Sequence, residues 1–363
     1  MGSTLNDVGK SASLAQETHR CIIDGVATSC HTIGIAYLDE TNSQLRFAVS
    51  YNEGQSFGYN VVDGPADGAT VDGHISLTYS GSTPVISYHD ATTNKLKVAK
   101  RVGVANGGNC GEGMQWKCRT LQSGGRFTSV DVDSGFIYVS HAKDSGSLAL
   151  SKSAFDFTGA TSETPFNSGS VKATKLKFDA LHRPHLLWSD GVCVKYTWAL
   201  FEGVEVVECS PSGAGLNLAR IDMVVGVNHL PHVSYSLRQA TGSTRVRYGF
   251  KISTDSPDWE HEAVSTVPAP AQPVPLVVDT SIVLDVDNED IGAIAWGTRS
   301  VVGTTSQWKL IINYPSGFPA WSNISVVDAT GGQSSSMIRI PDGTLGIAHY
   351  YPTTLDLRYS RED

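Results

Sequence analysis

One five-residue pattern occurs seven times in this chain, at intervals of roughly 50 residues. Its third residue is aliphatic in every copy, its fourth is small in all but one, and its fifth is always Tyr, Trp or His. This alternation is typical of a half-buried β-strand that carries an aliphatic side chain and a ring on one face. The copies are 33–37, 84–88, 137–141, 184–188, 231–235, 292–296 and 345–349.

Each copy lies in a group of four strands, which is clearest in residues 73–122. The runs HISLTYS, PVISYHD, KLKVAKRV and MQWKCRTLQ alternate apolar and polar residues and are separated by turn-forming residues. A meander of four antiparallel strands has two open edges and cannot bury both of its faces alone, so it packs against copies of itself. The sequence therefore predicts an all-β fold, a seven-bladed β-propeller of four-stranded antiparallel blades.

Seven blades fill the chain as a single domain, 1–363. The seventh blade has sequence for only three strands, and we predict that residues 4–10 supply its fourth strand. Such a strand would close the ring and leave no exposed sheet edge. The predicted blades are about 11–62, 73–123, 126–168, 172–210, 216–266, 276–329 and 334–363.

Composition and cysteine spacing bear on the partners and the cellular compartment of the protein. A formal net charge of −9 argues against nucleic acid as a partner, and no apolar run is long enough to span a membrane. The six cysteines form three pairs that are close in sequence, Cys21–Cys30, Cys110–Cys118 and Cys193–Cys209. We predict three disulfides and a secreted or secretory-pathway protein, since zinc sites need different spacing. Residues 1–3 look like an expression leader, so we expect that a native signal peptide has been removed.

Three segments resemble the Asp box, S-x-D-x-G-x-x-W, of sialidase-type propellers. The fullest copy is 50–57, with Asn52 in place of Asp and Phe57 in place of Trp, and parts of the motif occur at 113–116 and 253–259. In that family the box lies on the turn between the third and fourth strands, away from the active face. The resemblance implies a structural role for these segments.

In a propeller, the starts of the inner strands and the ends of the second strands meet at one mouth of the central channel. Rings and cations fill these positions here, while carboxylates are few. Packing between blades is the competing explanation for a ring at one register in every blade. We predict catalytic roles for Arg220, His349 and His74, and substrate contacts for Tyr88, His89, His141, Trp188, Tyr235, Trp296, Arg299 and Tyr350.

Several kinds of chemistry are disfavoured by the sequence. It contains no conspicuous pair of carboxylates for glycoside hydrolysis and no phosphate-binding or nucleophile motif. His182 with His185, and His229 with His232, resemble metal-ligand pairs, but both pairs fall in a repeated turn between strands. We therefore predict that no metal and no cofactor is needed.

Two functions remain, and the first is a cofactor-free cyclase. In size, disulfide content and ring-lined mouth the chain resembles the fungal hetero-Diels–Alderases of tropolonic sesquiterpenoid biosynthesis. That resemblance implies a cycloaddition between an apolar polyene and a polar enone or quinone methide, promoted mainly by orientation. The alternative is a secreted carbohydrate-active protein, a lectin or a polysaccharide lyase, whose partner is a glycan.

Overall fold

The computed structural model describes residues 6–23, 26–166, 169–198, 203–210, 221–254, 256–267, 277–285, 287, 290–302, 305–315, 321–331 and 333–362. Blade one contains β1 (Val8–Ile23), β2 (Val26–Asp39), β3 (Gln44–Ser50) and β4 (Gly58–Asp63). Blade two contains β5 (Ser76–Ser80), β6 (Thr83–Asp90), β7 (Lys95–Arg101) and β8 (Trp116–Ser123). Blade three contains β9 (Arg126–Asp133), β10 (Phe136–Ala142), β11 (Leu148–Ala154) and β12 (Ser162–Pro165).

The remaining blades repeat this order. Blade four contains β13 (Ala173–Phe178), β14 (Pro184–Ser189), β15 (Cys193–Trp198) and β16 (Glu205–Cys209). Blade five contains β17 (Asp222–Val225), β18 (Pro231–Arg238), β19 (Thr244–Phe250) and β20 (Glu260–Val267). Blade six contains β21 (Val277–Leu284), β22 (Ile291–Val302), β23 (Thr305–Pro315) and β24 (Trp321–Asp328), and blade seven contains β25 (Gln333–Arg339), β26 (Leu345–Tyr351) and β27 (Asp356–Arg361). Short 3₁₀ turns occur at Pro65–Asp67, Val104–Asn106 and Glu112–Met114.

The predicted seven-bladed β-propeller is confirmed. Every sheet is an antiparallel meander in which neighbours in sequence are neighbours in space, and six of the seven sheets have four strands. The aliphatic third residue of the repeat is buried in every blade, for example Ile86 and Val233. Apolar clusters join one blade to the next, as where Phe47 of blade one meets Trp116 and Tyr88 of blade two. The core is therefore a ring of inter-blade layers around a channel.

A belt of hydrogen bonds around the channel joins consecutive blades. We define the inter-blade belt by one position on each inner strand, which in six blades is a Ser or an Asp and in blade four is Lys175. At six of the seven junctions, a side-chain oxygen of the belt residue accepts a backbone N–H from the next blade at 3.0–3.1 Å. The donor is always the residue directly after that blade's own belt residue, as where the Leu77 N–H donates to Ser13. The belt residues are Ser13, Ser76, Ser129, Lys175, Asp222, Ser281 and Ser336.

Closure of the ring differs from the prediction. Residues 8–10 do not add a strand to blade seven, because they begin β1 and pair with β2, Val8 opposite Asp39 and Lys10 opposite Leu38. They contact blade seven through a hydrogen bond from the Val8 N–H to the Leu355 carbonyl at 2.9 Å, through the Lys10 ammonium over the Tyr350 ring, and through Gly9, described below. Residues 4 and 5 lie outside the described residues, and blade seven has three strands in the part of the chain that is described.

Side chains of blade one complete the junction with blade seven. Gly9 has φ +106°, and a Cβ at this position would lie 2.7 Å from the Leu357 Cα, so β1 passes β27 at a distance that only glycine allows. Phe57 packs edge-to-face against Tyr359 with ring centroids 5.4 Å apart. Arg361 Nη1 lies 3.1 Å from Glu53 Oε2. These contacts tie the last blade to the first.

The turn that resembles an Asp box is part of this junction. The Ser50 hydroxyl accepts the Gly54 N–H at 2.8 Å, and Asn52 Oδ1 accepts the Ser56 N–H at 3.0 Å. Asn52 can therefore hold the turn as an Asp would, since its side-chain oxygen is the group used. The segment presents Phe57 to blade seven, which supports the structural role implied by the resemblance.

All three predicted disulfides are present, Cys21–Cys30, Cys110–Cys118 and Cys193–Cys209. Three disulfides indicate an extracellular or secretory-pathway protein. Within the described residues, no helix has the length and apolar character needed to cross a membrane.

Candidate functional site

A row of residues at one mouth of the channel lies two positions before the inter-blade belt. In four blades the row residue has a left-handed backbone, with φ between 53° and 55°, although none of the four is glycine. The pairing of β1 and of β25 with their neighbours shifts register at the same place, so the strand bulges there. Backbone strain and bulges occur together at functional sites in proteins. The four residues are Ser11, His74, Phe127 and Ser334.

The row and the belt line one central cavity of about 270 Å³. Most of its lining side chains are hydroxyls from the inner strands, together with His74, Phe127, Lys175, Asp222 and Asp279. The wall is therefore polar, and its apolar surface at the row comes mainly from the Phe127 ring. His74 packs against that ring edge-to-face, with centroids 4.6 Å apart.

Inside the cavity, one ion pair interrupts the belt. Lys175 Nζ lies 2.6 Å from Asp222 Oδ1, and the other oxygen of Asp222 accepts the Ile282 N–H at 3.1 Å and the Ser281 hydroxyl at 2.9 Å. Burial alone would raise the pKa of Asp222, but the Lys175 ammonium and these hydrogen bonds hold that pKa below its usual value. Asp222 is therefore an anion already neutralised by the protein.

A second group of polar residues lies at the mouth beside His74. His89 is buried, and its Nδ1 lies 2.8 Å from Asp72 Oδ1 while its Nε2 lies 3.0 Å from Asn94 Oδ1. Burial would lower the pKa of His89, but these two acceptors raise it above its usual value. Both ring nitrogens are thus occupied, so His89 orients Asp72 and cannot act as a base in this arrangement.

Asp72 connects this group to the row. Burial would raise the pKa of Asp72, but the bond from His89 and the charges of His74 and Arg126 lower it. Arg126 is exposed at the start of β9, and among the described residues it makes no ion pair. A histidine, a phenyl ring and an arginine therefore meet at this side of the mouth, beside a carboxylate that is already paired.

The predicted ring residues are placed elsewhere. Their exposed fractions are between 0 and 4 %, and none of them lines the central cavity. Buried rings have no face left for a substrate, so we assign them to packing between blades. These residues are Tyr88, His141, Trp188, Tyr235, Trp296, His349 and Tyr350.

Three of these rings belong to a repeated inter-blade triad. The ring contacts a carboxylate of the preceding blade, at or near the end of that blade's fourth strand. The same carboxylate is contacted by a cation on the third strand of the ring's own blade, directly opposite the ring. In blade five, the Tyr235 hydroxyl donates to Glu208 at 2.6 Å and Arg247 binds Glu208 at 2.9 Å. The other two triads are Tyr88–Asp63–Lys97 and His349–Asp328–Arg358. In these three blades the network accounts for the ring at this register without a ligand.

Two predicted arginines lack a description. Arg220 lies outside the described residues, and β22 includes the backbone of Arg299 but not its side chain. In the sequence, Arg220 stands two residues before Asp222.

The suspected metal pairs contact a carboxylate. His185 Nε2 and His229 Nδ1 lie 3.4 and 3.3 Å from the same oxygen of Asp179, which Arg183 also binds at 2.7 Å. The side chains of His182 and His232 contact Asp133 and Tyr248 respectively. In the described part of the chain, no group of three or more His, Cys, Asp or Glu residues is arranged to hold a metal ion.

The sequence alone did not reveal the inter-blade belt, and in the row it identified His74 but not Phe127. Their signal was present, since a Ser precedes an aliphatic residue at Ser13-Leu14, Ser76-Leu77, Ser129-Val130, Ser281-Ile282 and Ser336-Met337. Counting back two residues from each belt position would have identified Phe127 beside His74.

Comparison with known proteins shows similarity at the level of the fold. No family model and no curated protein matches the chain. A PL25 polysaccharide lyase, an ulvan lyase, is 11% identical over 98% of this chain and 93% of its own, with a TM-score of 0.56. The NanB sialidase of Streptococcus pneumoniae is 12% identical over 99% of this chain and 68% of its own, with a TM-score of 0.47. AofleA from Arthrobotrys oligospora, as an arginine mutant, is 12% identical over 80% of this chain and 82% of its own, with a TM-score of 0.46. At these identities the likeness shows the fold.

Proposed function

We propose that this protein is a secreted carbohydrate-active protein that binds an acidic, uronate-bearing glycan at the channel mouth. The observation that carries the proposal is the exposed Arg126 beside Phe127 and His74. A guanidinium binds a carboxylate through two parallel hydrogen bonds, and a phenyl ring packs on the apolar face of a sugar. A structure of the PL25 ulvan lyase is described as bound to -[GlcA(1-4)Rha3S]-, which contains such a uronate.

The charge pattern supports an anionic ligand at this place. The protein as a whole carries a formal charge of −9, so an acidic glycan needs a local site of positive potential. His89 pairs with Asp72, and Lys175 pairs with Asp222. These pairs neutralise Asp72 and Asp222, while Asp279 in the cavity wall accepts the Ser334 N–H. Arg126 is the exposed cation on the His74 side of the mouth.

Elimination from the bound uronate is a second candidate activity, favoured by the position of His74. Arg126 would neutralise the carboxylate, which makes the proton on the adjacent carbon more acidic. His74 would take that proton, and the bond between the ring carbon and the leaving glycosidic oxygen would break as a carbon–carbon double bond forms. The released oxygen would take a proton from water and become a hydroxyl. His89 is unsuited to this step because both of its nitrogens are already hydrogen-bonded.

The cyclase interpretation does not have this support. It depended on aromatic walls at the mouth, and Trp188, Trp296 and Tyr350 are buried between blades. The resemblance to hetero-Diels–Alderases is not confirmed by the comparisons.

Binding of oligouronates by calorimetry tests the proposal. Arg126→Ala should weaken binding by at least about tenfold, since a charge-assisted hydrogen bond contributes roughly 1.5–3 kcal/mol. Binding should also weaken with added salt. Arg20→Ala, at an exposed arginine of the β1–β2 hairpin, is the matched control and should leave affinity unchanged.

Ultraviolet absorbance of unsaturated uronate measures the elimination in the same samples. Activity that is lost in His74→Ala while binding persists would identify a lyase, and binding without product would identify a lectin. Equal loss of affinity in Arg126→Ala and Arg20→Ala would contradict the site.

A further inference from the structure

A second cavity lies beside the long hairpin of blade one. The strands β1 and β2 contain 16 and 14 residues, compared with 5 residues in β5, the inner strand of blade two. Their outer segments, 17–23 and 26–32, pair with each other and form a hairpin. A cavity of about 350 Å³ lies between this hairpin and blades one and two. Its volume is in the range of small-molecule sites. Glu17 in its wall is six residues beyond Ser11 on the same strand, about 20 Å from the mouth at 3.3 Å per residue.

The hairpin directs polar side chains into this cavity. Glu17 pairs with Thr32, and His19 pairs with Cys30, so these four side chains share one face of the hairpin. The Cys21–Cys30 disulfide crosses the same face and fixes it. The Glu17 side chain is only 7% exposed, and His19 Nδ1 lies 2.9 Å from its Oε1. A buried carboxylate has room for several donors, so this arrangement leaves acceptor capacity for a ligand.

The opposite wall contains a buried hydroxyl without a partner. Tyr79 OH lies in the cavity wall, is shielded from solvent, and makes no hydrogen bond to any residue in the described part of the chain. Gly34 makes space for it, because a Cβ there would lie 2.5 Å from the Tyr79 oxygen and 2.8 Å from the Phe47 ring. A buried polar group without a partner is costly, and binding sites are a place where such a cost is compensated by a ligand.

A cation and an exposed ring complete the rim. Tyr51 is 67% exposed, and Arg101 Nη1 donates to its hydroxyl at 3.2 Å. Both residues line the cavity, together with Phe47. Burial raises the pKa of Tyr79, and the charges of Glu17 and Arg101 both act on its hydroxyl, so the three groups converge.

We infer that this cavity, the hairpin pocket, binds one neutral sugar unit. Rings suit the apolar face of a sugar, while a carboxylate accepts hydroxyl protons and a guanidinium donates to hydroxyl oxygens. An apolar ligand would leave Glu17 and the Tyr79 hydroxyl unpaired, and an acidic sugar would be repelled by Glu17. The site is separate from the channel mouth and does not depend on the function proposed there.

A panel of neutral monosaccharides, measured by saturation-transfer NMR and calorimetry, tests this inference on the full chain. At least one sugar should bind saturably, and Glu17→Gln and Tyr79→Phe should each weaken it by about tenfold, as expected when a buried hydrogen-bonding group loses its partner. Tyr79→Phe removes a hydroxyl that has no partner in the free protein, so its melting temperature should be unchanged or higher. That measurement separates a binding defect from a folding defect.

Two controls define the pocket. Tyr59→Phe alters an exposed tyrosine outside the cavity, and Arg126→Ala alters the mouth, so neither should change binding of a neutral sugar. Absence of saturable binding by every neutral sugar at millimolar concentration would overturn the inference. Binding that survives Glu17→Gln but is lost in Arg126→Ala would move the sugar to the mouth and overturn it equally.

Discussion

Asp222 shows how single residues set the properties of this channel. Its carboxylate accepts the Ile282 N–H as part of the belt and forms an ion pair with Lys175, so this one group joins three blades. Gly34 acts in the opposite way, since the absence of its side chain creates room for the Tyr79 hydroxyl. At the mouth, Arg126 differs from both because it is exposed and unpaired among the described residues. The charges that hold the fold, such as that of Asp222, are thus paired and buried, whereas the charge of Arg126 is available to a ligand.

We expect Asp222→Asn to reduce the free energy of unfolding by about 3 kcal/mol, because Lys175 loses its partner in a partly buried setting. The folded-state pKa of Asp222 is lowered, so its contribution is present above the unfolded-state pKa of about 3.9 and is lost as the pH falls through the folded-state value. The variant should therefore lose less stability on acidification than the parent protein. Chemical denaturation at several pH values measures both effects.

Ser281→Ala is the matched control for Asp222→Asn. It removes the acceptor of the Met337 N–H and a donor to Asp222, at an expected cost of about 1–2 kcal/mol. Its stability should keep most of the parent's dependence on pH, because the Lys175 ammonium, which lowers the pKa of Asp222 more than the Ser281 hydroxyl does, is still present. Identical pH profiles for the parent and Asp222→Asn would contradict the role of the ion pair.

At the scale of elements, β1 has three tasks. Its start contacts blade seven, its middle forms the inner strand of blade one, and its end forms the hairpin that walls the second pocket. The long pairing with β2 makes these tasks possible, because thirteen pairs of residues hold the two strands together. The same strand therefore connects the closure of the ring with both proposed sites.

Deleting residues 1–10 should destabilise the protein more than deleting residues 1–5. The longer deletion removes the Val8 bond to Leu355, the packing of Gly9 on Leu357 and the ion pair between Lys10 and Glu40. Each lost backbone bond costs about 0.5–1.5 kcal/mol, and β27 would be more exposed to self-association. Thermal melting and analytical ultracentrifugation measure these effects. Equal melting temperatures and monomeric behaviour for both deletions would show that residues 6–10 do not hold the junction.

At the scale of the whole molecule, carboxylates connect the blades around the ring. Six aspartates that are at least partly buried have pKa values below the ordinary value; burial opposes this shift in each, and hydrogen bonds and nearby cations outweigh it. These residues are Asp7, Asp72, Asp179, Asp190, Asp222 and Asp328. Asp179, Asp222 and Asp328 contact a neighbouring blade, and Asp190 pairs within blade four. Their protonation should therefore weaken contacts at several places around the ring.

The melting temperature should therefore fall steeply below about pH 4, where the unfolded chain begins to bind more protons than the folded protein. His89 acts in the opposite sense, because its pKa is raised: its contribution is present below about pH 6.5 and is lost as the pH rises through the folded-state value. Calorimetric scans from acidic to neutral pH measure the melting temperature over both pH ranges. A melting temperature that stays constant below pH 4 would contradict this account.

The repeated sequence pattern was sufficient to predict the local features of this protein. Burial of every second residue is a property of one strand, so seven copies of a pattern such as Pro84–Tyr88 were enough to predict seven blades. Disulfides such as Cys21–Cys30 were predictable for the same reason, since their partners are close in the chain. His74 lines the central cavity, as a residue near the start of an inner strand, which is also a local feature, and its catalytic role stays a prediction.

Contacts between blades were decided only by the tertiary structure. Tyr235 and Arg126 are both residue types suited to a ligand site. However, the Tyr235 hydroxyl donates to Glu208, which belongs to another blade and is 27 residues away in sequence. The hairpin pocket likewise combines Glu17 with Arg101 across two blades. A strand pattern gives the face on which a side chain lies, but whether that face meets solvent or a neighbouring blade depends on packing between units distant in sequence.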